Sequence, residues 1–281
     1  TMCARAGNGV PHDVVTEITF RKDAPWLDFE WKVERKEGEP WPEAGWLCFP
    51  FAMEEPAFRV GRLGSFIDPA ADIAVGANRD LLAVASAVGI SGGGVHVGVC
   101  PIDAPLVSLE RPGLWKHSRN FVPREPSVFV NLFNNVWSTN FAQWVEGAWS
   151  ARVRIWVGES GSNEELVTRA WEARCPCRVA AAFGPAGNLP PSRAGLEVSR
   201  KGLLVTAFGA NPYGEGTLLR LWEQAGEGGA CRVTLPAGTA AREAISCGLR
   251  GGIAGDALRV SEGALEVEVN AYAPLTLVLR E

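Results

Sequence analysis

The residues with the greatest capacity for chemistry lie between Asn131 and Trp144. There Asn131, Asn134, Asn135, Asn140 and Gln143 interleave with Phe133, Trp137, Phe141 and Trp144. An aromatic ring packs on the apolar C–H face of a sugar while an amide bonds its hydroxyls, so this mixture is the chemistry of a carbohydrate contact. The same residues have a plainer use, because aromatics fill cores and asparagines satisfy turn backbones. Both readings stand at the level of sequence.

A second polar constellation, Asp103, Glu110, Arg111, His117, Arg119 and Arg124, shares its stretch with Pro105, Pro112 and Pro123 and reads as a long ordered loop. An imidazole oriented by a carboxylate could exchange protons at a sugar ring. Among so many arginines His117 equally fits an ion-pair or hydrogen-bonding role. His12, His96 and His117 are far apart and show neither His-x-His nor His-x-x-x-His spacing, which argues against a zinc or transition-metal site. No G-x-S-x-G elbow is present either. Gly92-Gly93-Gly94 is followed by Val95-His-Val-Gly-Val, which continues as a strand, so the glycines read as a tight reversal and not as a phosphate cradle.

The bulk properties narrow the partners. A net charge of -5 with no Lys/Arg-rich run excludes the electrostatic footprint of nucleic acid or an anionic membrane. Cys3, Cys48, Cys100, Cys175, Cys177, Cys231 and Cys247 form no C-x-x-C pair, which points to reduced thiols. The amino terminus lacks the apolar core of a signal peptide, and no stretch approaches the roughly 20 apolar residues that span a bilayer. These features point to a cytoplasmic protein. A first residue other than Met also fits a fragment or processed piece, whose localisation would be set elsewhere.

The elements that must position these residues are mostly strands. Leu27, Phe29, Trp31 and Val33 alternate with Asp28, Glu30, Lys32 and Glu34, as in a half-buried antiparallel strand, and Val14 to Phe20 precedes it across a turn at Pro25. The alternation returns at Ala151 to Val157 and at Leu265 to Val269. Leu81 to Val88 and Val95 to Val99 read as more deeply buried strands. One helix is expected from Ser162, where an S-x-x-E box with Glu165, the pairs Leu166/Ala170 and Val167/Trp171, and Pro176 mark its start, buried face and end. The expected organisation is 1–160 as the first part of a large β-sandwich and 161–200 as helix and link. Residues 201–281 follow as a small sandwich or as closing strands of the large one.

The order of Asp28-Phe-Glu-Trp-Lys, Cys48-Phe-Pro-Phe, Gly64-Ser-Phe-Ile-Asp-Pro, Asn131 to Phe141, Leu203-Leu-Val-Thr-Ala-Phe and Leu218-Leu-Arg-Leu-Trp-Glu resembles the carboxy-terminal β region of glycoside hydrolase family 38, the α-mannosidases. The resemblance spans most of the chain. It implies an all-β fold in which a large antiparallel sandwich, a supersandwich like that of galactose mutarotase, is followed by a smaller one with a short helix between. It also implies that the nucleophilic Asp and the zinc ligands, with their His-x-Asp pattern, belong to an amino-terminal α/β domain. Here His12, His96 and His117 are followed two positions on by Val14, Gly98 and Arg119. The implied chain is therefore a non-catalytic domain without a cofactor of its own, partnered by carbohydrate and by a preceding or separate catalytic domain. Asn131, Asn134, Asn135, Trp137, Asn140, Trp144 and His117 are its candidate sugar contacts.

Two alternatives remain at this stage. One is a self-sufficient mutarotase-like enzyme using His117 or His96 with a carboxylate such as Glu125. The other is a structural scaffold that stabilises a neighbour through a flat apolar interface.

Overall fold

The computed structural model describes residues 2–6, 13–114, 117–135, 144–181, 183–184, 187–188 and 190–281. The chain forms two compact units, Thr1–Arg174 and Cys175–Glu281.

The first unit contains β1 (Met2–Ala6), β2 (Val14–Phe20), β3 (Trp26–Lys36), β4 (Ala44–Pro50), β5 (Ala57–Arg62), β6 (Ser65–Ile67), β7 (Leu82–Ala83), β8 (Val88–Gly92), β9 (Val95–Pro101), β10 (Leu106–Leu109), β11 (Ser127–Asn134), β12 (Gly147–Gly158) and α1 (Asn163–Arg174). An eight-stranded sheet runs in the order β1-β2-β3-β12-β9-β8-β5-β6, and a four-stranded sheet in the order β4-β11-β10-β7. Valines at 60, 88, 97, 99, 107, 128, 130 and 153 meet Ile90 and Leu82 in one buried cluster. β-Branched side chains suit this position because they fill the pleated surface with little rotamer freedom to lose. Each contributes about 1.5–3 kcal/mol of burial.

The two strand runs on either side of the turn at Pro25 pair with one another, with β2 and β3 antiparallel and Val14 opposite Val33. The reversal at the glycines is a two-residue hairpin: Gly92 pairs with Val95, and Gly93 and Gly94 have φ of 57° and 77°. Positive φ at both central residues matches the right-handed twist of the strands, and glycine adopts it without steric cost. The run from Leu81 to Val88 departs from expectation. It divides between β7, in the four-stranded sheet, and β8, in the eight-stranded one. A continuous apolar run reads alike whether it stays in one sheet or crosses between two, because both paths are buried. The stretch from Asp103 to Arg124 likewise contains β10, whose Val107 and Ser108 are fully buried.

The Oγ of Ser162 accepts the N–H of Glu165 at 3.2 Å and so caps α1. Leu166, Val167, Ala170 and Ala173 are the buried face of the helix. They pack on the side of the eight-stranded sheet opposite the valine cluster, where the Ala170 carbonyl lies 3.8 Å from Cys100 Sγ. Arg174 closes the helix by donating to the carbonyls of Ser86, Pro101 and Ile102. No helix among the described residues is long and apolar enough to cross a membrane.

The second unit is a smaller sandwich of β13 (Glu197–Val198), β14 (Leu203–Ala210), β15 (Thr217–Glu223), β16 (Gly229–Thr234), β17 (Glu243–Cys247), β18 (Ile253–Arg259), β19 (Ala264–Val269) and β20 (Pro274–Arg280). Its sheets are β13-β16-β19 and β14-β15-β20-β17-β18, and Leu219, Leu221, Val233, Leu265, Leu277 and Leu279 form its core. β17 and β18 escape the sequence reading because Glu-Ala-Ile-Ser-Cys and Ile-Ala-Gly-Asp-Ala-Leu-Arg carry little alternation. Glu223 is fully buried in this unit. Its carboxylate accepts the N–H groups of Ala225, Gly226 and Tyr272 at 2.8–2.9 Å, tying two turns to the end of β15.

Candidate carbohydrate-contact site

Two bulges in the first unit turn the most telling side chains toward one another. Between β3 and β12, Lys36 pairs with Gly147 and Val33 with Trp149, so β3 advances three residues while β12 advances two. The extra residue reverses the alternation, and Lys36, which strict period 2 would place outside, is 3% exposed. Its ammonium donates to the Glu43 carboxylate, to the Val145 carbonyl at 2.8 Å and to the Glu37 carbonyl at 3.0 Å. It also lies 5.2 Å from the centroid of the Phe133 ring.

The second bulge is on β11, where Asn131 pairs with Trp46 and Phe133 with Gly45. It lays the Phe133 ring across Gly45, where a Cβ would stand 2.3 Å from the ring. Phe133 meets Trp149 edge-on at 5.5 Å, and Trp149 meets Trp31 at 6.0 Å. Bulges recur beside functional sites because they re-aim side chains that the pleat would otherwise direct elsewhere.

Asn131 and Asn135 are committed largely to the backbone. Asn131, 6% exposed, donates to the carbonyls of Gly45 and Phe133 and accepts from Asn134 Nδ2 at 2.7 Å. Asn135, 9% exposed, donates to the carbonyls of Trp41 and Glu39 and accepts the Glu43 N–H at 2.7 Å. Asn134 Oδ1 is buried without a hydrogen-bond partner among the described residues. Trp137 and Asn140 lie outside the described residues.

What this scaffold presents to solvent is aromatic. Trp41 is 71% exposed and Trp144 is 51% exposed. Both border the segment from Glu37 to Glu43: Trp41 belongs to it, and the Trp144 ring stands 2.9 Å from where a Cβ on Gly38 would be. Asn135 grips the carbonyl of Trp41 itself, and Lys36 grips the carbonyl of Val145, next to Trp144. The buried polar groups thus anchor the backbone that carries two open indole rings. Sequence reasoning passed over Trp41, although Glu39-Pro-Trp-Pro42 carried a signal. An indole between prolines cannot sit inside a paired strand and so belongs to a loop. Lys36 and Glu43 carried none, because the bulge that buries Lys36 is a property of strand pairing.

The second constellation is dispersed. His117 is exposed, and the neighbouring Ser118 donates its N–H to the buried Asp80 carboxylate at 2.7 Å. Arg111 stacks on Phe121, and Glu110 accepts the Arg124 N–H. Asp103 is forked by Arg152 at 2.8 and 2.9 Å, and that guanidinium holds its carboxyl below the usual carboxylate range. His96 meets Ser91 Oγ at 2.9 Å. Among the described residues neither His96 nor His117 meets a carboxylate, and no group of three or more His, Cys, Asp or Glu side chains gathers as a metal site.

Comparison with solved structures bears on the fold. An alpha-mannosidase from Enterococcus faecalis V583 superposes with a TM-score of 0.69 at 12% identity, over 96% of this chain and 29% of its own. A protein in glycosyl hydrolase family 38 from Enterococcus faecalis does so with a TM-score of 0.70 at 12% identity, over 96% of this chain and 30% of its own. This chain has the fold of the matched segment of a family 38 glycosyl hydrolase. At that identity the likeness is one of fold, and the chain spans about three-tenths of the length of these proteins. No protein-family profile matches the chain. No curated protein matches it either.

Proposed function

We propose that this chain is a non-catalytic, carbohydrate-associated β region of an α-mannosidase-like glycoside hydrolase, and that it meets sugar through Trp41 and Trp144. The observation that carries this reading is the pair of open indoles on backbone anchored by Asn135 and Lys36. A ring held in place loses little freedom when a sugar stacks on it, so the anchoring serves affinity. Asn131 and Asn135 are positioning residues in this reading. Asn134, Trp137 and Asn140 continue the same segment and are the amide and aromatic groups nearest in sequence to complete the contact. The nucleophile and its zinc would be supplied by a catalytic domain outside this chain, whose active-site wall the segment frames. Likeness of fold to an alpha-mannosidase supports the family of the partner, and the separation of His96 and His117 from carboxylates gives a mutarotase-like reading no support.

The test is calorimetric titration with an α-mannobioside. Trp41→Ala and Trp144→Ala are each expected to weaken binding about tenfold, the equivalent of one stacking contact. Folded variants that bind like the parent would refute the contact. The isolated chain is expected to leave aryl α-mannosides intact with zinc added, and turnover blocked by a glycosidase inhibitor would refute the non-catalytic reading.

A further inference from the structure

Two nucleophilic side chains stand side by side in the open. Cys175-Pro176-Cys177 follows α1 directly, and both thiols are free and exposed. The other described cysteines lack this combination. Cys100, Cys231 and Cys247 are buried, and burial pushes the Cys100 and Cys247 thiols up, away from the thiolate that reacts. Cys48 is an exposed residue of β4, but desolvation raises its thiol too, and no second cysteine is near it in sequence.

The spacing lets Cys175 and Cys177 react with each other. Two residues of fully extended chain span about 6.6–7.2 Å, and a disulfide joins Cα atoms about 4.4–6.8 Å apart. A modest bend therefore brings the pair into range. The chain already bends at Cys175, and Pro176 holds its own φ near about −65°, short of full extension. The surroundings leave room for the ring to close. Residues Cys175 to Ala181 are exposed and belong to no helix or strand, so closure breaks no ladder. Arg174, just before the pair, holds the end of α1 through the carbonyls of Ser86, Pro101 and Ile102. Arg178, just after it, is exposed and offers a cation to an approaching anionic disulfide. Exposed or strained disulfides have the more oxidising potentials and open readily, so a ring this short and this accessible forms and reopens by exchange.

We infer that Cys175 and Cys177 are a reversible dithiol–disulfide pair, closed by exchange with a small-molecule disulfide of the glutathione class. One cysteine loses its proton to water and attacks a sulfur of oxidised glutathione. The glutathione S–S bond breaks, one glutathione leaves as thiolate, and a mixed disulfide forms. The second cysteine loses its proton in turn and attacks the protein sulfur of that mixed disulfide, expelling the second glutathione. The two departing thiolates take up two protons. The protein pair is oxidised by two electrons, and one oxidised glutathione becomes two reduced ones. This inference does not rest on the sugar contact.

The test equilibrates the full chain with mixtures of reduced and oxidised glutathione, traps free thiols with N-ethylmaleimide and digests the unfolded product with trypsin. Cleavage after Arg174 and Arg178 releases Cys175–Arg178, which carries these two cysteines and no other. By mass, this peptide is expected to pass from doubly alkylated to an internal disulfide as the oxidised share rises, and to return with dithiothreitol. Cys175→Ser and Cys177→Ser are each expected to stop at the mixed disulfide and to accumulate it about tenfold above the parent, because no neighbouring thiol resolves it. A parent peptide that stays doubly alkylated at every ratio would overturn the inference. So would one that stops at the mixed disulfide as the serine variants do, or one found joined to a peptide carrying another cysteine. If a serine variant fails to fold, the state of the parent peptide still decides.

Discussion

The anchoring of the candidate site turns on a buried charge, and removing its partner is the sharpest perturbation available. In Lys36 the side chain is 1% exposed, whereas that of Glu43 is 22% exposed. Glu43→Ala leaves the ammonium with two carbonyls and a ring face but no counter-charge. An uncompensated buried ion of this kind costs about 3–5 kcal/mol. Lys36→Met retains the apolar stem and frees Glu43 to hydrate, so it loses chiefly the bonds to Glu37 and Val145, about 1–2 kcal/mol. Removing both ends in Lys36→Met/Glu43→Ala is expected to cost less than Glu43→Ala alone. All tryptophans except Trp222 lie in the first unit, so intrinsic fluorescence during urea unfolding reports on that unit. With a slope of about 2 kcal/mol per molar urea, Glu43→Ala lowers the midpoint by roughly 1.5–2.5 M. If Glu43→Ala is the milder of the two single changes, the ammonium is not held as a buried ion and the argument for anchoring fails.

Other perturbations test neighbouring steps. Gly45→Ala places a methyl against the Phe133 ring and is expected to destabilise the first unit by about 1–3 kcal/mol, with partial relief in the Phe133→Leu background, measured as a double-mutant cycle. Glu223→Gln presents an amide to three backbone donors that need acceptors and is expected to cost the second unit about 3 kcal/mol by calorimetry; a change below about 1 kcal/mol would refute its role. Burial alone would raise the Glu165 carboxyl, but the N–H groups of Ser160 and Glu159 outweigh it and hold the group below the ordinary glutamate value. Its contribution is therefore present above the unfolded-state pKa and is lost as pH falls through the lower folded value. Amide exchange at Glu159 and Ser160 should quicken in that acidic window in the parent and show no such step in Glu165→Gln.

What the sequence by itself determined is local. The alternation from Leu27 to Val33 and from Leu265 to Val269, the glycine hairpin and the Ser162 cap are each set within a few residues, by side-chain period, backbone freedom and one capping bond. An all-β chain with one helix follows from them. The segment from Asn131 to Trp144 was recognisable as unusual for the same reason, since composition is a local property. Its roles were not. Whether Asn135 binds a ligand or the Trp41 carbonyl depends on β11 lying beside β4, from 94 residues away in the chain. The inward turn of Lys36 depends on one extra residue in β3 relative to β12, a relation between strands that neither strand carries alone. Tertiary structure decided these assignments because a bulge changes the face on which every following side chain falls, and only pairing shows where the bulge is.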